Sequence, residues 1–290
     1  MLKNSVTDQT VTCNSPDGAI VHFASFASDL VEPRPIDVWL PEGYDASSNV
    51  RYPVVYMHDG QFMFDNATSP YAGTDWLWDV DKTMTRLIRE KQVRPAIIVS
   101  VWNLPETKRR TEYMPQKPVT EEVDRLISAE GSDITRAEIT SDNYLRFLVE
   151  DLKPFIDKTY RTQPDKENTF TMGSSMGGMI SAYAISEYPD VFGGAACLST
   201  HWNIGNGAVL DWYKSNWPPA GSNRVYFDHG TETLDADYEP YQQQMDAIIR
   251  THGYRNGVDW ITRKFDGADH SPKAWRDRLH IPLVFLLESE

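Results

Sequence analysis

The sequence predicts an α/β protein with a mostly parallel central sheet flanked by helices, and three observations carry that expectation. Runs such as Val54-Val55-Tyr56-Met57 and Ala96-Ile97-Ile98-Val99 are apolar without interruption, as strands covered on both faces are. Helical patterns fall between most of the strand-like runs, the alternation that builds a parallel sheet. Finally, Gly173-Ser174-Ser175-Met176-Gly177 matches G-x-S-x-G between a β-branched run and a helix-forming run, the setting of a serine on a tight strand-to-helix turn.

In chain order, strands are expected at residues 19–26, 36–40, 52–57, 96–101, 169–172, 194–198, 225–228 and 260–265. No helix separates the first two, so that end of the sheet is expected to be antiparallel. A helix is expected over 144–156, capped by Asp142, with Tyr144, Phe147, Leu148 and Leu152 forming its apolar face. Residues 179–187, 241–251 and 275–287 are read as further helices. Residues 105–140 are polar, charged and weakly periodic, and are expected to form a long loop or a small cap of the kind that borders active sites. No repeat, low-complexity tract or Pro/Gly-rich linker divides the chain, so residues 1–290 read as a single domain.

Composition narrows the partners. Lys and Arg number 28 against 42 Asp and Glu, a net charge of −14, which disfavours nucleic acid and anionic membranes. There is no apolar run of membrane-spanning length, and residues 1–9 lack the apolar core of a signal peptide, so a cytoplasmic location is expected. Two cysteines, Cys13 and Cys197, do not make a disulfide framework, and Cys197 in its apolar run reads as buried and free. The 14 Tyr and 9 Trp are numerous; core packing accounts for most of them, and a surplus suits the lining of a cleft. Nothing in the composition speaks to oligomeric state.

A serine hydroxyl attacks only when a base takes its proton, and on this kind of turn the partners follow in the order serine, acid, histidine. Five histidines follow Ser175. His252, at a helix end, and His280, inside a helical pattern, read as structural. His270 lies in the polar turn Asp266-Gly267-Ala268-Asp269-His270-Ser271 after the last strand and is the candidate base, with His201 and His229 as alternatives. The acid is expected after the 225–228 strand, where Glu232 and Asp235 compete; Asp235 is favoured because Asp more often fills this role. An oxyanion needs two preorganised N–H donors. Met176, next to the nucleophile, supplies one, and the turn His58-Asp59-Gly60-Gln61 points to Gln61 for the other. His58 and Asp59 lack the further spaced ligands that a metal requires. No metal or cofactor is expected.

Five separated segments together resemble the esterase D / enterochelin esterase family of α/β-hydrolases, which includes feruloyl esterases, acetylxylan esterases and S-formylglutathione hydrolases. They are residues 52–61, Arg109-Arg110-Thr111-Glu112-Tyr113 with Pro115, residues 144–157, Gly173 to Gly178, and Gly230-Thr231-Glu232-Thr233-Leu234-Asp235. The resemblance implies an α/β-hydrolase fold with an insertion near 105–141, Ser175 as nucleophile, His270 as base, and amides near Gln61 and Met176 as oxyanion hole. It departs at the acid: many members place it where this chain has Thr233, which leaves Asp235 and Glu232 in contention. Segment 116–141 matches no part of the family pattern.

The function expected is a serine carboxylic-ester hydrolase acting on a small-molecule or saccharide ester with an aromatic or small acyl group. Trp202 and Phe62, with Phe64, are expected to line its pocket, since aromatic rings suit a flat group such as a hydroxycinnamate. Arg109 and Arg110 would instead suit a catechol-rich trilactone siderophore, or serve only to pair with acidic neighbours. Acyl transfer at the same site is a further reading. A non-catalytic binding module is disfavoured because serine, base and oxyanion turn are all present.

Overall fold

The chain opens with strands in succession, β1 (Thr10–Ser15), β2 (Gly18–Phe26) and β3 (Arg34–Leu40), joined antiparallel as expected where no helix intervenes. The computed structural model describes residues 10–15, 17–221 and 223–288. β1 lies outside the expected strands, although Thr10, Val11 and Thr12 have the β-branched content that strands favour. Strand β4 (Val54–His58) is followed by helix α1 (Val80–Arg89) and strand β5 (Ile97–Val101). β4 and β5 are buried at every residue and pair in parallel, Val54 opposite Ile97 through His58 opposite Val101. β5 also pairs antiparallel with β3, giving the order β1-β2-β3-β5-β4.

The 105–140 segment is a helical insertion and not a long loop. It forms α2 (Glu106–Tyr113) and α3 (Glu121–Ala129). α3 has a physical start signal, since the Thr120 side chain accepts from the Val123 N–H and acidic residues fill its first turn. It buries Val123 and Ile127. The next helix begins before its expected start, as α4 (Ser141–Arg146), and runs through a π-helical stretch (Phe147–Leu152) into α5 (Lys153–Thr159). Asp142 is therefore inside the helix, where its carboxylate accepts from Tyr183 Oη at 2.5 Å.

Strand β6 (Thr169–Ser174), helix α6 (Met176–Glu187), strand β7 (Gly194–Leu198), helix α7 (Leu210–Asn216), strand β8 (Arg224–His229), helix α8 (Glu239–Thr251) and strand β9 (Trp260–Lys264) follow the expected alternation. β7, β8 and β9 pair in parallel. The expected class, a mostly parallel sheet flanked by helices with an antiparallel beginning, is the class observed. The last expected helix is two, α9 (Pro272–Arg278) and α10 (His280–Leu287), and Pro282 falls in the first turn of α10, where a missing N–H is tolerated. By contact density the chain forms two compact units: Met1–Leu104 with Arg146–Thr171 and Ser271–Glu290, and Pro105–Leu145 with Met172–His270.

Cys197 is buried and free. Among the described residues, no helix is long and apolar enough to cross a membrane.

One group in the first unit is held against its chemistry. Asp81, in the first turn of α1, is buried, and its Oδ1 has no hydrogen-bond partner among the described residues. Burial pushes its pKa up to about 6 against an ordinary 3.8. The folded state therefore binds the proton more tightly than the unfolded chain, and the stability this provides is lost as pH rises from about 4 to about 6. Asp81→Asn, neutral at all pH, is expected to raise the melting temperature at pH 8, by at most about 3 kcal/mol of stability, and to do little at pH 4. An equal gain at both pH values would contradict this origin.

Candidate active site

Ser175 joins β6 to α6 with φ 57° and ψ −121°, outside the regions open to most residues with a Cβ. The turn is tight enough that a Cβ on Gly173 would stand 2.7 Å from the Gly177 backbone, so that position needs glycine. Surrounding bonds hold the strained residue: its N–H donates to the Leu198 carbonyl at 2.9 Å, and its carbonyl accepts from Gly178 and Met179 as α6 begins. Met176 is the first residue of α6, where backbone N–H groups have no partner within the helix.

The loop after β8 carries the acid. Asp235, 1 % exposed, lies in the 3-10 turn Thr233–Asp237. Its Oδ1 meets His270 Nδ1 at 2.5 Å, and its Oδ2 accepts from Ser199 Oγ and from the Gly230 N–H, both at 2.6 Å. Burial alone would raise its pKa. The hydrogen bonds from His270, Ser199 and Gly230 outweigh that and hold it below the ordinary carboxylate value. A carboxylate in this state only accepts, so Nδ1 of His270 carries its proton and Nε2 is left to receive one.

His270 is placed by backbone as well as by its ring. Its N–H donates to Thr233 Oγ1 at 2.9 Å, and the Ala268 carbonyl takes the N–H groups of Thr231 and Glu232 at 2.9 and 3.0 Å. The two loops approach so closely that a Cβ on Gly230 would stand 2.1 Å from the Ala268 oxygen. Thr233, which occupies the position where the family pattern expects the acid, thus positions the histidine loop. The Glu232 side chain is exposed and only its backbone enters this arrangement.

The other histidines have different partners. His229 Nδ1 bonds the Gly230 carbonyl at 2.8 Å, His252 Nε2 bonds the Lys214 carbonyl at 3.1 Å, and His280 opens α10. His201 Nδ1 bonds Tyr238 Oη at 2.7 Å. Burial, with the charges of His270 and Arg109, lowers the His201 pKa to about 4, so it is neutral over the physiological range.

A cavity of about 680 Å³ is lined by Glu130, His201, Asn203, Asp237, Tyr241 and Gln244 among others. The insertion helps to build it: Glu130, just after α3, accepts from the Gly205 and Asn206 N–H groups at 2.9 and 3.0 Å, fixing two successive left-handed residues. Trp202 does not line it, contrary to expectation. It is 1 % exposed, with its indole N–H on Gln242 Oε1 at 3.1 Å and its ring against Tyr213 and Phe227, while its neighbours His201 and Asn203 face the cavity. Arg110 pairs with Asp133 at 2.8 Å, and Arg109 lies over the Tyr113 ring.

Gln61 and Phe62 belong to the first unit. They share the 3-10 turn Gly60–Phe62 that follows left-handed Asp59. Asn103 holds this turn, its Nδ2 donating to Asp59 Oδ1 at 2.5 Å and its backbone N–H to Gln61 Oε1 at 3.2 Å. His58 Nε2 bonds Thr171 Oγ1 at 3.0 Å. The Phe62 ring stacks on Tyr71 at 4.4 Å, and Phe64 is buried in the core.

An esterase family model, described as "Putative esterase", matches residues 27–283. The chain is 29 % identical over 167 residues to an endo-1,4-beta-xylanase/feruloyl esterase of Xylanibacter ruminicola; the match covers 56 % of this chain and 19 % of that protein. Among solved structures, a ferulic acid esterase of Anaeromyces mucronatus in complex with ferulic acid is similar with TM-score 0.64 and 21 % identity, over 98 % of this chain and 97 % of the other. An enterochelin esterase of Shigella flexneri is similar with TM-score 0.65 and 19 % identity, over 90 % of this chain and 56 % of the other. At these identities the two structures establish the likeness of fold.

Proposed function

Since this chain belongs to the esterase family, and is a carboxylic ester hydrolase as that family is, we propose that it works through an acyl-enzyme on Ser175. The observation that carries this reading is the Asp235–His270 pair, held in the same compact unit as the strained Ser175 turn. Ser175 Oγ attacks the ester carbonyl carbon and its proton passes to His270 Nε2. Asp235 keeps the Nδ1 proton in place and stabilises the imidazolium that forms. The Met176 N–H, and on the sequence pattern the Gln61 N–H, receive the oxyanion. When the tetrahedral adduct collapses, the carbon–oxygen bond to the alcohol breaks and His270 returns the proton to the leaving oxygen. Water then repeats the sequence and releases the acid.

The cavity supports a hydroxyl-rich alcohol as the leaving group. Its lining includes the carboxylates of Glu130 and Asp237 with the amides of Asn203, Asn206 and Gln244, and no Lys or Arg. Such groups exchange hydrogen bonds with hydroxyls and repel the negative charge of catecholate complexes. Feruloylated or acetylated saccharides are therefore favoured over a trilactone siderophore. A panel of p-nitrophenyl esters, feruloyl and acetyl saccharide esters and a catecholate trilactone tests this. The expected result is the highest kcat/KM on the saccharide esters. A preference for the trilactone, or transfer to an added alcohol in place of hydrolysis, would overturn the reading.

A further inference from the structure

Strand β7 supplies no reacting atom, yet its end touches both the nucleophile turn and the acid. The Leu198 carbonyl accepts the Ser175 N–H at 2.9 Å, and the next residue, Ser199, donates from Oγ to Asp235 Oδ2 at 2.6 Å. Ser199 is buried and has φ 40°, a left-handed backbone that a residue with a Cβ seldom adopts. The neighbouring strand β8 holds it there. The Ser199 N–H donates to the Asp228 carbonyl at 2.9 Å and to Asp228 Oδ1 at 3.1 Å, while Tyr226 Oη donates to Asp228 Oδ2 at 3.0 Å. Asp228 and Tyr226 are buried as well, so no bulk water competes for these bonds.

We propose that Ser199 is a positioning residue that fixes the plane of the Asp235 carboxylate against the His270 ring. The terminal torsion of an aspartate is broad, so its rotamer alone does not set that plane. Two donors on one oxygen do: Ser199 Oγ–H and the Gly230 N–H both end on Oδ2, which turns Oδ1 to His270 Nδ1 at 2.5 Å. Gly230 lies on the loop that carries the acid itself. Ser199 comes from a different strand, the one whose end also bonds the Ser175 turn. It therefore sets the acid, and with it the His270 ring, in register with the nucleophile. Without the hydroxyl the carboxylate plane is freer and the ring is aligned with Ser175 less often, so proton transfer slows while substrate binding does not.

The inference rests on the Ser175 mechanism, and its test separates the two. The readouts are the rate at which a fluorophosphonate labels Ser175, kcat and KM for a p-nitrophenyl ester, and thermal melting. Ser199→Ala is expected to slow labelling and kcat by about 10- to 100-fold, the scale of one hydrogen bond to a charged group, with KM changed far less. Ser199→Gly should lose as much, although glycine takes up the left-handed backbone without strain. Wild-type rates in the glycine variant would mean that residue 199 serves only the backbone turn, and would overturn the proposal. Adding Ser199→Ala to Asp235→Asn should cost no more than Asp235→Asn alone, because the hydroxyl acts through that carboxylate. Losses that multiply in the double variant, or a folded Ser199→Ala labelled at the wild-type rate, would also overturn it. Should Ser199→Ala fail to fold, Ser199→Gly decides alone. Absence of labelling in the wild type would instead count against the Ser175 mechanism.

Discussion

Replacing Ser175 by Ala is expected to lower kcat by about 10⁴–10⁶-fold while the melting temperature stays near wild type. The size follows from the chemistry: with no nucleophile, no acyl-enzyme forms, and what remains is the contribution of binding and oxyanion stabilisation to direct attack by water. The unchanged stability follows from the local structure. The bonds that secure the turn come from the backbone N–H and carbonyl of residue 175, which alanine keeps. Alanine also tolerates the observed φ of 57° no worse than serine does. Measured esterase kinetics on a folded Ser175→Ala sample check both halves. A residual rate within tenfold of wild type would remove Ser175 from the mechanism.

The second large effect is expected at Asp235. Asp235→Asn should lower kcat by about 10²–10⁴-fold with KM barely changed, since the carboxylate acts mainly on the charge that develops in the transition state. The surroundings give a reason beyond lost charge. Ser199 Oγ and the Gly230 N–H both aim donors at Oδ2. An amide will therefore turn its oxygen toward them and its NH₂ toward His270. That forces the ring proton onto Nε2, where it blocks acceptance of the serine proton. Glu232→Gln should stay within about threefold of wild type, because that side chain is exposed. A large loss in Glu232→Gln with Asp235→Asn near wild type would reverse the assignment.

The fold was legible because its strands are continuous apolar runs and its turn serine carries a motif with structural context. β4, β5 and β6 are buried at every residue, so no alternation was needed to find them. The helices of the insertion were not legible: α2 buries the consecutive run Thr111, Glu112 and Tyr113, which has no helical period, and α3 declares itself chiefly through the Thr120 cap and two buried residues, Val123 and Ile127. At the site, local sequence could rank Asp235 and His270 but could not show that they meet, because 35 residues separate them. Ser199 carries no local signal, and its bond to Asp235 comes from loops 36 residues apart that meet in space. Trp202 illustrates the opposite error. Its place after β7 suggested a pocket wall, but on that loop the indole turns into the core and leaves the cavity to its neighbours.

The central claim, that Ser175 is the nucleophile of a covalent mechanism, is tested most directly by treating the folded protein with a fluorophosphonate and mapping the adduct by peptide mass spectrometry. The expected result is a single stoichiometric adduct on Ser175, slowed sharply by Asp235→Asn and abolished by Ser175→Ala. An adduct on the neighbouring Ser174, or no labelling of the folded protein, would contradict it.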